Sequence, residues 1–321
     1  MRTCTVRLRP WPTRARPSST ALGLSPVILA LAIGDPAVAT AQVGAMDRTW
    51  PASGSASVAV RAPHATVRVD VWDREEVRVR KTDPARRQRV EVTPSPASGL
   101  IVAVEPVGPI AAGRRRSDTV FVTVPRHASL SVKTYWGAIQ VVGAEGDVAL
   151  ESYFEEAVYR GGAPRVSVRG FHSPIMIEAP HARSIVAESG GGDVHVLSGG
   201  GRLRVETVRG DIEARARGAL AEADLRSTGG SILLSAPLAA TATIALDTHH
   251  GTLDVELDPG VGARLRLETY LGAIENALGP SAPARRSGPV RANALDFSLG
   301  EGGALIVAST YRGDIRLHRR E

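Results

Sequence analysis

A motif of the form Ser/Thr-x-x-Gly-x-Ile-x-Val returns nine times in this chain, and no other feature limits its fold so narrowly. With the hydroxyl residue as position zero, the units begin at Thr134, Ser152, Gly170, Ser189, Thr207, Ser227, Thr248, Thr269 and Thr310. The spacings are 18, 18, 19, 18, 20, 21, 21 and 41 residues, so the last gap is two periods wide. A period near 20 residues is that of a solenoid, in which each unit buries its apolar face only by stacking on its neighbours.

The apolar residues divide each unit in two. Pairs such as Leu130/Val132, Val166/Val168 and Ile244/Leu246 stand at −4 and −2, and Ile139/Val141, Ile175/Ile177 and Ile232/Leu234 at +5 and +7. Their alternation with polar residues predicts two short strands per unit, aliphatic side inward. Position +3 is Gly in seven units (137, 192, 210, 230, 251, 272 and 313). Such a glycine fits a corner that needs positive φ or brings the next rung's backbone close. The hydroxyls at zero are in phase with −2 and −4, so they should point inward as a ladder that satisfies corner backbone groups. The expected fold is all-β: a single-chain parallel β-solenoid (β-helix) with rungs of about 18–21 residues. The right-handed bias of parallel crossovers sets its expected hand. Nine rungs spaced ~4.8 Å apart would make a rod of about 43 Å.

The first 41 residues read as a secretory leader. Arg2, Arg7, Arg9, Arg14 and Arg16 form a basic start, Leu22–Ile33 an apolar run, and Ala39-Thr40-Ala41 a small-residue cleavage site before Gln42. That leader holds five Arg and one acid, Asp35. Subtracting its net +4 from the chain's +6 leaves about +2 for the mature protein, which argues against nucleic acid as a partner. The only cysteine, Cys4, leaves with the leader, so disulfide and thiol chemistry are excluded. No stretch of the mature chain reaches the 18 apolar residues of a membrane span. The expected location is outside the cytoplasm: periplasm, cell envelope or extracellular.

Residues 1–41 are thus expected to be a signal peptide, 42–54 a small, polar, flexible join, and 55–321 one solenoid domain. Within that domain, 55–128 form an irregular capping part with strand-like runs and two polar loops, 83–89 and 108–118. Regular rungs fill 129–277, a Pro/Gly/Arg-rich loop 278–292, and terminal strands with a last rung 293–318. The charged end Arg319-Arg320-Glu321 would discourage another chain from adding to the open edge.

The run Val71-Trp72-Asp73-Arg74-Glu75-Glu76-Val77 resembles the opening strands of the bacterial "toastrack" putative-adhesin family. So do Val120–Pro125 followed by Leu130–Val141, and Thr-x-x-Gly-Asp-Ile at Thr207–Ile212 and Thr310–Ile315. The likeness covers roughly residues 55–318. It implies a parallel β-solenoid of exported or envelope-linked proteins, some of them tied to envelope-stress responses, and it transfers no catalytic residues. This chain departs from it in the 278–292 loop and in the aromatics at +1.

Position +1 reads Tyr135, Tyr153, Phe171, Gly190, Val208, Thr228, His249, Tyr270 and Tyr311, and so holds four of the five tyrosines. Being out of phase with the inward residues, Tyr135, Tyr153, Phe171, Tyr270 and Tyr311 should form an outer-corner ladder. Such rings either bind a sugar, a peptide or another protein, or brace adjacent rungs. Carboxylates also stack: Asp193 and Asp211 at +4, and Glu213, Asp254 and Glu275 at +6 among His195 and Arg316. They spread along the rod rather than converge on a groove, which reads as a solvated face and not a glycosidase pair. Mixed signs at −1, from Lys133 and Glu151 to Asp247 and Glu268, suggest rung-to-rung ion pairs. Gly190–Val194 lacks the nine-residue period of calcium repeats, and His172 and His249-His250 lack metal-ligand spacing. Two Arg-Gly-Asp tripeptides, 209–211 and 312–314, fall where the repeat already favours Gly-Asp.

No catalytic constellation, cofactor motif or metal site emerges. The sequence reads as an exported, non-catalytic, adhesin-like interaction module of the cell envelope or surface, with an envelope glycan, lipid or protein as partner. The alternatives are a sensor or scaffold in an envelope-stress pathway and, third, a carbohydrate-active β-helix enzyme.

Overall fold

The computed structural model describes residues 42–43, 46–81, 88–95, 99–106, 118–280, 293–301 and 303–320. The chain divides into two units, Met1–Pro36 and Ala37–Glu321, and all of these residues belong to the second. The expected leader, Cys4, all but the ends of the two polar loops and most of the 278–292 loop lie outside the described residues. Among those described, no helix is long and apolar enough to cross a membrane.

Every element described is a strand. The chain opens with β1 (Gln42–Val43), β2 (Met46–Pro51), β3 (Ser57–Ala62), β4 (Ala65–Trp72), β5 (Glu76–Lys81), β6 (Gln88–Ser95), β7 (Gly99–Pro106) and β8 (Asp118–Pro125). The motif units then supply β9 (Ser129–Thr134), β10 (Ile139–Val142), β11 (Val148–Ser152), β12 (Ala157–Arg160), β13 (Arg165–Gly170) and β14 (Ile175–Ala179). They continue as β15 (Ser184–Ser189), β16 (Val194–Ser198), β17 (Gly201–Thr207), β18 (Ile212–Ala216), β19 (Leu220–Ser227), β20 (Ile232–Ser235), β21 (Leu238–His250) and β22 (Leu253–Leu257). Last come β23 (Ala263–Thr269), β24 (Ile274–Asn276), β25 (Asn293–Leu299), β26 (Ala304–Arg312) and β27 (Ile315–Arg319).

The two strands of each unit go to opposite sheets, one of 14 strands and one of 13, and pair in parallel with the same positions of the next unit. Like therefore stacks on like. Ile212 pairs with Ile232 and Ile232 with Leu253, and all three are buried. The expected parallel β-solenoid is what the chain forms, its core a filling of aliphatic ladders between two sheets.

The order of the rungs in space departs from their order in the chain at both ends. The Thr310 unit, expected as the last rung, is not at the end. Its strands β26 and β27 slot between β21/β22 and β23/β24, and β25 closes the outside of β23 as an antiparallel strand. The double-width gap in the motif is the length of chain that makes this excursion. At the other end β3/β4 is a full rung between β7/β8 and β9/β10. Its pairing puts Ala62 opposite Thr134, so Ala62 holds position zero and Ala65 position +3, and neither carries the motif's hydroxyl or glycine. Eleven parallel rungs result among the described residues, about 53 Å of stack at ~4.8 Å per rung, against the nine expected.

Three smaller expectations are corrected. The join at 42–54 contains β2, antiparallel to β5, with Met46 buried and Asp47 ion-paired to Arg78 at 2.5 Å. Polarity misread the loop ends, because Gln88 and Asp118 are buried. Asp118 sits there by pairing with Lys81 at 3.4 Å, both side chains almost wholly out of water. The basic end at 319–320 guards no open edge, because β27 has neighbours on both sides; the outermost strands there are β24 and β25.

One inward position breaks the aliphatic rule. Tyr159, at +7 of its unit, is wholly buried; its hydroxyl donates to the Ala144 carbonyl at 2.7 Å and accepts from the Ala163 N–H at 2.8 Å. Burial pushes its phenol up to about 12. Tyr159→Phe leaves both backbone groups without that partner and should cost about 1–3 kcal/mol in denaturant titration. The phenol's folded pKa lies above its unfolded value near 10, so its contribution is intact below pH 10. It is lost as pH rises from 10 to 12, a fall on the order of 2–3 kcal/mol. Tyr159→Phe should lack that alkaline loss.

Candidate functional site

Every unit turns from one sheet to the other through the corner formed by positions zero to +4, and most of the motif is consumed in holding it. Thr207 Oγ1 donates to the Gly192 carbonyl of the preceding rung and accepts from the Gly210 N–H of its own at 3.2 Å. Ser227 and Thr248 donate in the same way, to the Gly210 and Gly230 carbonyls. The ladder stays continuous through the excursion, with Thr310 donating to Gly251 and Thr269 to Gly313. The expected inward hydroxyl ladder is therefore present, and its chemistry is structural.

The +4 carboxylates are engaged too. Asp193 Oδ1 accepts the Asp211 N–H at 3.0 Å, Asp211 Oδ1 the Ser231 N–H at 2.7 Å, and Asp314 Oδ1 the Ala273 N–H at 2.9 Å. Both Arg-Gly-Asp tripeptides are accounted for: the Gly is a corner residue and the Asp caps the adjacent rung. At +6 the groups pair along the rod, His195 with Glu213 at 3.0 Å and Arg316 with Glu275 at 3.3 Å. The −1 row holds the expected cross-rung ion pairs, Lys133–Glu151 at 2.7 Å and Arg169–Glu188 at 3.0 Å. Among the described residues no three His, Cys, Asp or Glu are placed to share a metal ion.

The rings at +1 have no such backbone task. The structure divides them into two groups. Tyr135, Tyr153 and Phe171 follow one another with centroids 4.8 and 6.2 Å apart. Tyr311 lies between Tyr270 (5.6 Å) and His249 (4.8 Å, planes within 4°). Gly190, Val208 and Thr228 occupy the rungs between the groups. Position +2 adds a second row that sequence reading missed, with Trp136 stacked on Phe154 at 4.0 Å and Phe154 on His172 at 6.0 Å. The signal lies in the consecutive pairs Tyr135-Trp136, Tyr153-Phe154 and Phe171-His172.

Within each +1 group the successive rings are tilted by 30–34°, and only His249 and Tyr311 lie parallel, within 4°. They follow one another along the rod, each partly facing the next. On the sides where the two groups face each other, no ring follows. Phe171, 56% exposed, is followed in the stack by Gly190, which has no side chain, and His249 is followed by Thr228.

Beside the +1 row runs a trough. One part, of about 420 Å³, is lined by Tyr153, Phe171, Gly190, Glu188, Glu206 and neighbours; a second, of about 530 Å³, by Thr228, Asp247, His249, Glu268, Tyr270 and Tyr311 among others. They share Glu206 and Val208, so they adjoin along the rod, with rings at either end. Its charged lining is Glu151, Glu188, Glu206, Asp247 and Glu268 against Arg169 and Arg226, five acids to two bases.

No family model and no curated protein matches the chain. Among solved structures, it is similar to a putative cell adhesion protein from Clostridium sporogenes ATCC 15579, at 6% identity and a TM-score of 0.21. That match covers 86% of this chain and 100% of the other. It is also similar to a putative adhesin from Bacteroides fragilis NCTC 9343, at 11% identity and a TM-score of 0.37, over 85% of this chain and 96% of the other. Likeness this distant bears on neither ligand nor role.

Proposed function

We propose that the protein is an exported, non-catalytic, adhesin-like interaction module of the cell envelope or surface, which binds along its ring-flanked corner. The observation that carries this reading is the concentration of exposed rings beside the trough, in registers where the corner's backbone chemistry requires none. Non-catalysis is supported by the engagement of Asp193, Asp211 and Asp314 in rung-capping hydrogen bonds, which leaves them poor candidates for acid–base work.

The test joins location, binding and stability. Wild-type protein should be recovered outside the cytoplasm and should bind isolated bacterial envelopes. Tyr135→Ala, Tyr153→Ala and Phe171→Ala together should reduce that binding at least tenfold. The three changes remove five ring pairs of about 0.5–1.5 kcal/mol each, so melting should fall while the aliphatic stack stays folded. A large fall in melting temperature with binding unchanged would make the rings a brace for the stack and nothing more.

A further inference from the structure

The trough's chemistry narrows what can lie in it, given the reading above that this corner is the binding face. Its two openings onto ring faces, at Phe171 and at His249, are four rungs apart, about 19 Å at ~4.8 Å per step. The occupant is therefore long and runs along the rod, across the strands. Backbone groups on the floor give it little to hold. The N–H groups of Gly190, Val208 and Thr228 donate to the Gly170, Ser189 and Thr207 carbonyls of the neighbouring rung. An extended peptide would find no strand edge to join there, and its main-chain hydrogen bonds would go unmet.

What the trough does offer is carboxylate and ring face. Glu188 is tied to Arg169, but Glu206 has its nearest cation, Arg204, at 3.9 Å, and Glu268 has no ion pair among the described residues. These two stand at −1 four rungs apart, the same interval as the two open rings. A lining of five acids and two bases repels anionic polymers such as nucleic acid or acidic glycan and concentrates cations. Ring faces accept the C–H face of a pyranose, and both rings and carboxylates attract ammonium groups.

We propose that the trough is a binding site for a linear polysaccharide carrying free amino groups, of the glucosamine type. Pyranose faces pack on Phe171 and His249, and sugar ammonium and hydroxyl groups donate to Glu206 and Glu268. The amine supplies charge complementarity, and the hydroxyls take the place of the main-chain contacts a peptide could not make.

Calorimetric titration of the full mature protein tests this with three probes: a β-1,4-linked glucosamine hexamer, its fully N-acetylated counterpart and heptalysine. The glucosamine hexamer should bind, with affinity falling at least tenfold on N-acetylation and falling again as salt is raised. Glu206→Gln with Glu268→Gln, and separately Phe171→Ala, should each weaken binding tenfold or more while the protein stays folded. Glucosamine binding indifferent to these substitutions would overturn the site. Heptalysine binding as tightly through the same residues would replace the glycan with a basic peptide. If no probe binds but ring-dependent binding to envelopes persists, the amino-sugar assignment fails while the interaction-module reading stands.

Discussion

Ile232→Asp should abolish cooperative folding. Ile232 is fully buried and sits in register between Ile212 and Leu253 on the adjacent rungs. An aspartate there meets aliphatic carbon above and below, with no water and no cation to pair with. The expected loss is about 4 kcal/mol or more, at the far end of what single substitutions do. Ile232→Val keeps the ladder and removes one methylene, for about 0.5–1.5 kcal/mol. Chemical denaturation followed by far-UV circular dichroism measures both. Similar midpoints for the two variants would show that this position does not face the core.

Gly230→Ala should be nearly as damaging, although it adds a single methyl group. A Cβ at Gly230 would lie 2.1 Å from the Gly210 carbonyl oxygen and 2.5 Å from its carbon. Neither is the movable tip of a side chain. Relief would have to separate the rungs, and the Ser227 and Thr248 hydroxyls bound to Gly230 would be displaced too. The cost should reach about 3 kcal/mol, the upper end of ordinary overpacking. Gly229→Ala is the control. Its Cβ would meet nothing nearer than 3.5 Å, so the change should stay within about 0.5 kcal/mol. A thermal melt in which the two variants behave alike would remove the close-approach explanation.

That explanation also settles an ambiguity in the motif. The recurrent +3 glycine fitted either positive φ or close approach. Gly137, Gly192 and Gly210 adopt no positive φ, yet a Cβ on each would fall within 2.3 Å of a carbonyl oxygen across the stack. The inward register and the hydroxyl ladder were legible because the same physical demand falls on every rung, and repetition exposes such a demand. What escaped was whatever departs from the average. The Ala62 rung was invisible because Ala fits inward and leaves room at the corner without displaying the motif. The placement of the Thr310 unit was invisible because spacing along the chain does not say between which rungs a strand will enter. Asp118 looked like a solvent-facing loop residue, since sequence shows charge and not the partner, here Lys81, that permits its burial. At the corner, the tyrosine register could be read, but whether the rings show faces or edges depends on stacking geometry that one register cannot reveal.

The inward insertion of a rung at each end bears on how such a stack comes apart. An array of repeats ordinarily frays from its tips, because a terminal repeat has one neighbour and gives up half the contacts of an interior one. Here the outermost parallel strand β23 is clasped between β25 and β26, two arms of one continuous stretch of chain, and so cannot peel away by itself. The opposite tip is tied similarly, because β7 and β8 lie outside a rung that precedes them in the chain and are backed by antiparallel β6 and β5. The rod is latched at both tips, and undoing either latch means withdrawing a strand from the interior of a sheet. Assembly is constrained in the same way: the seat for β26 is complete only when β21 and β23 are both in place, so growth cannot proceed as a simple zipper from first residue to last.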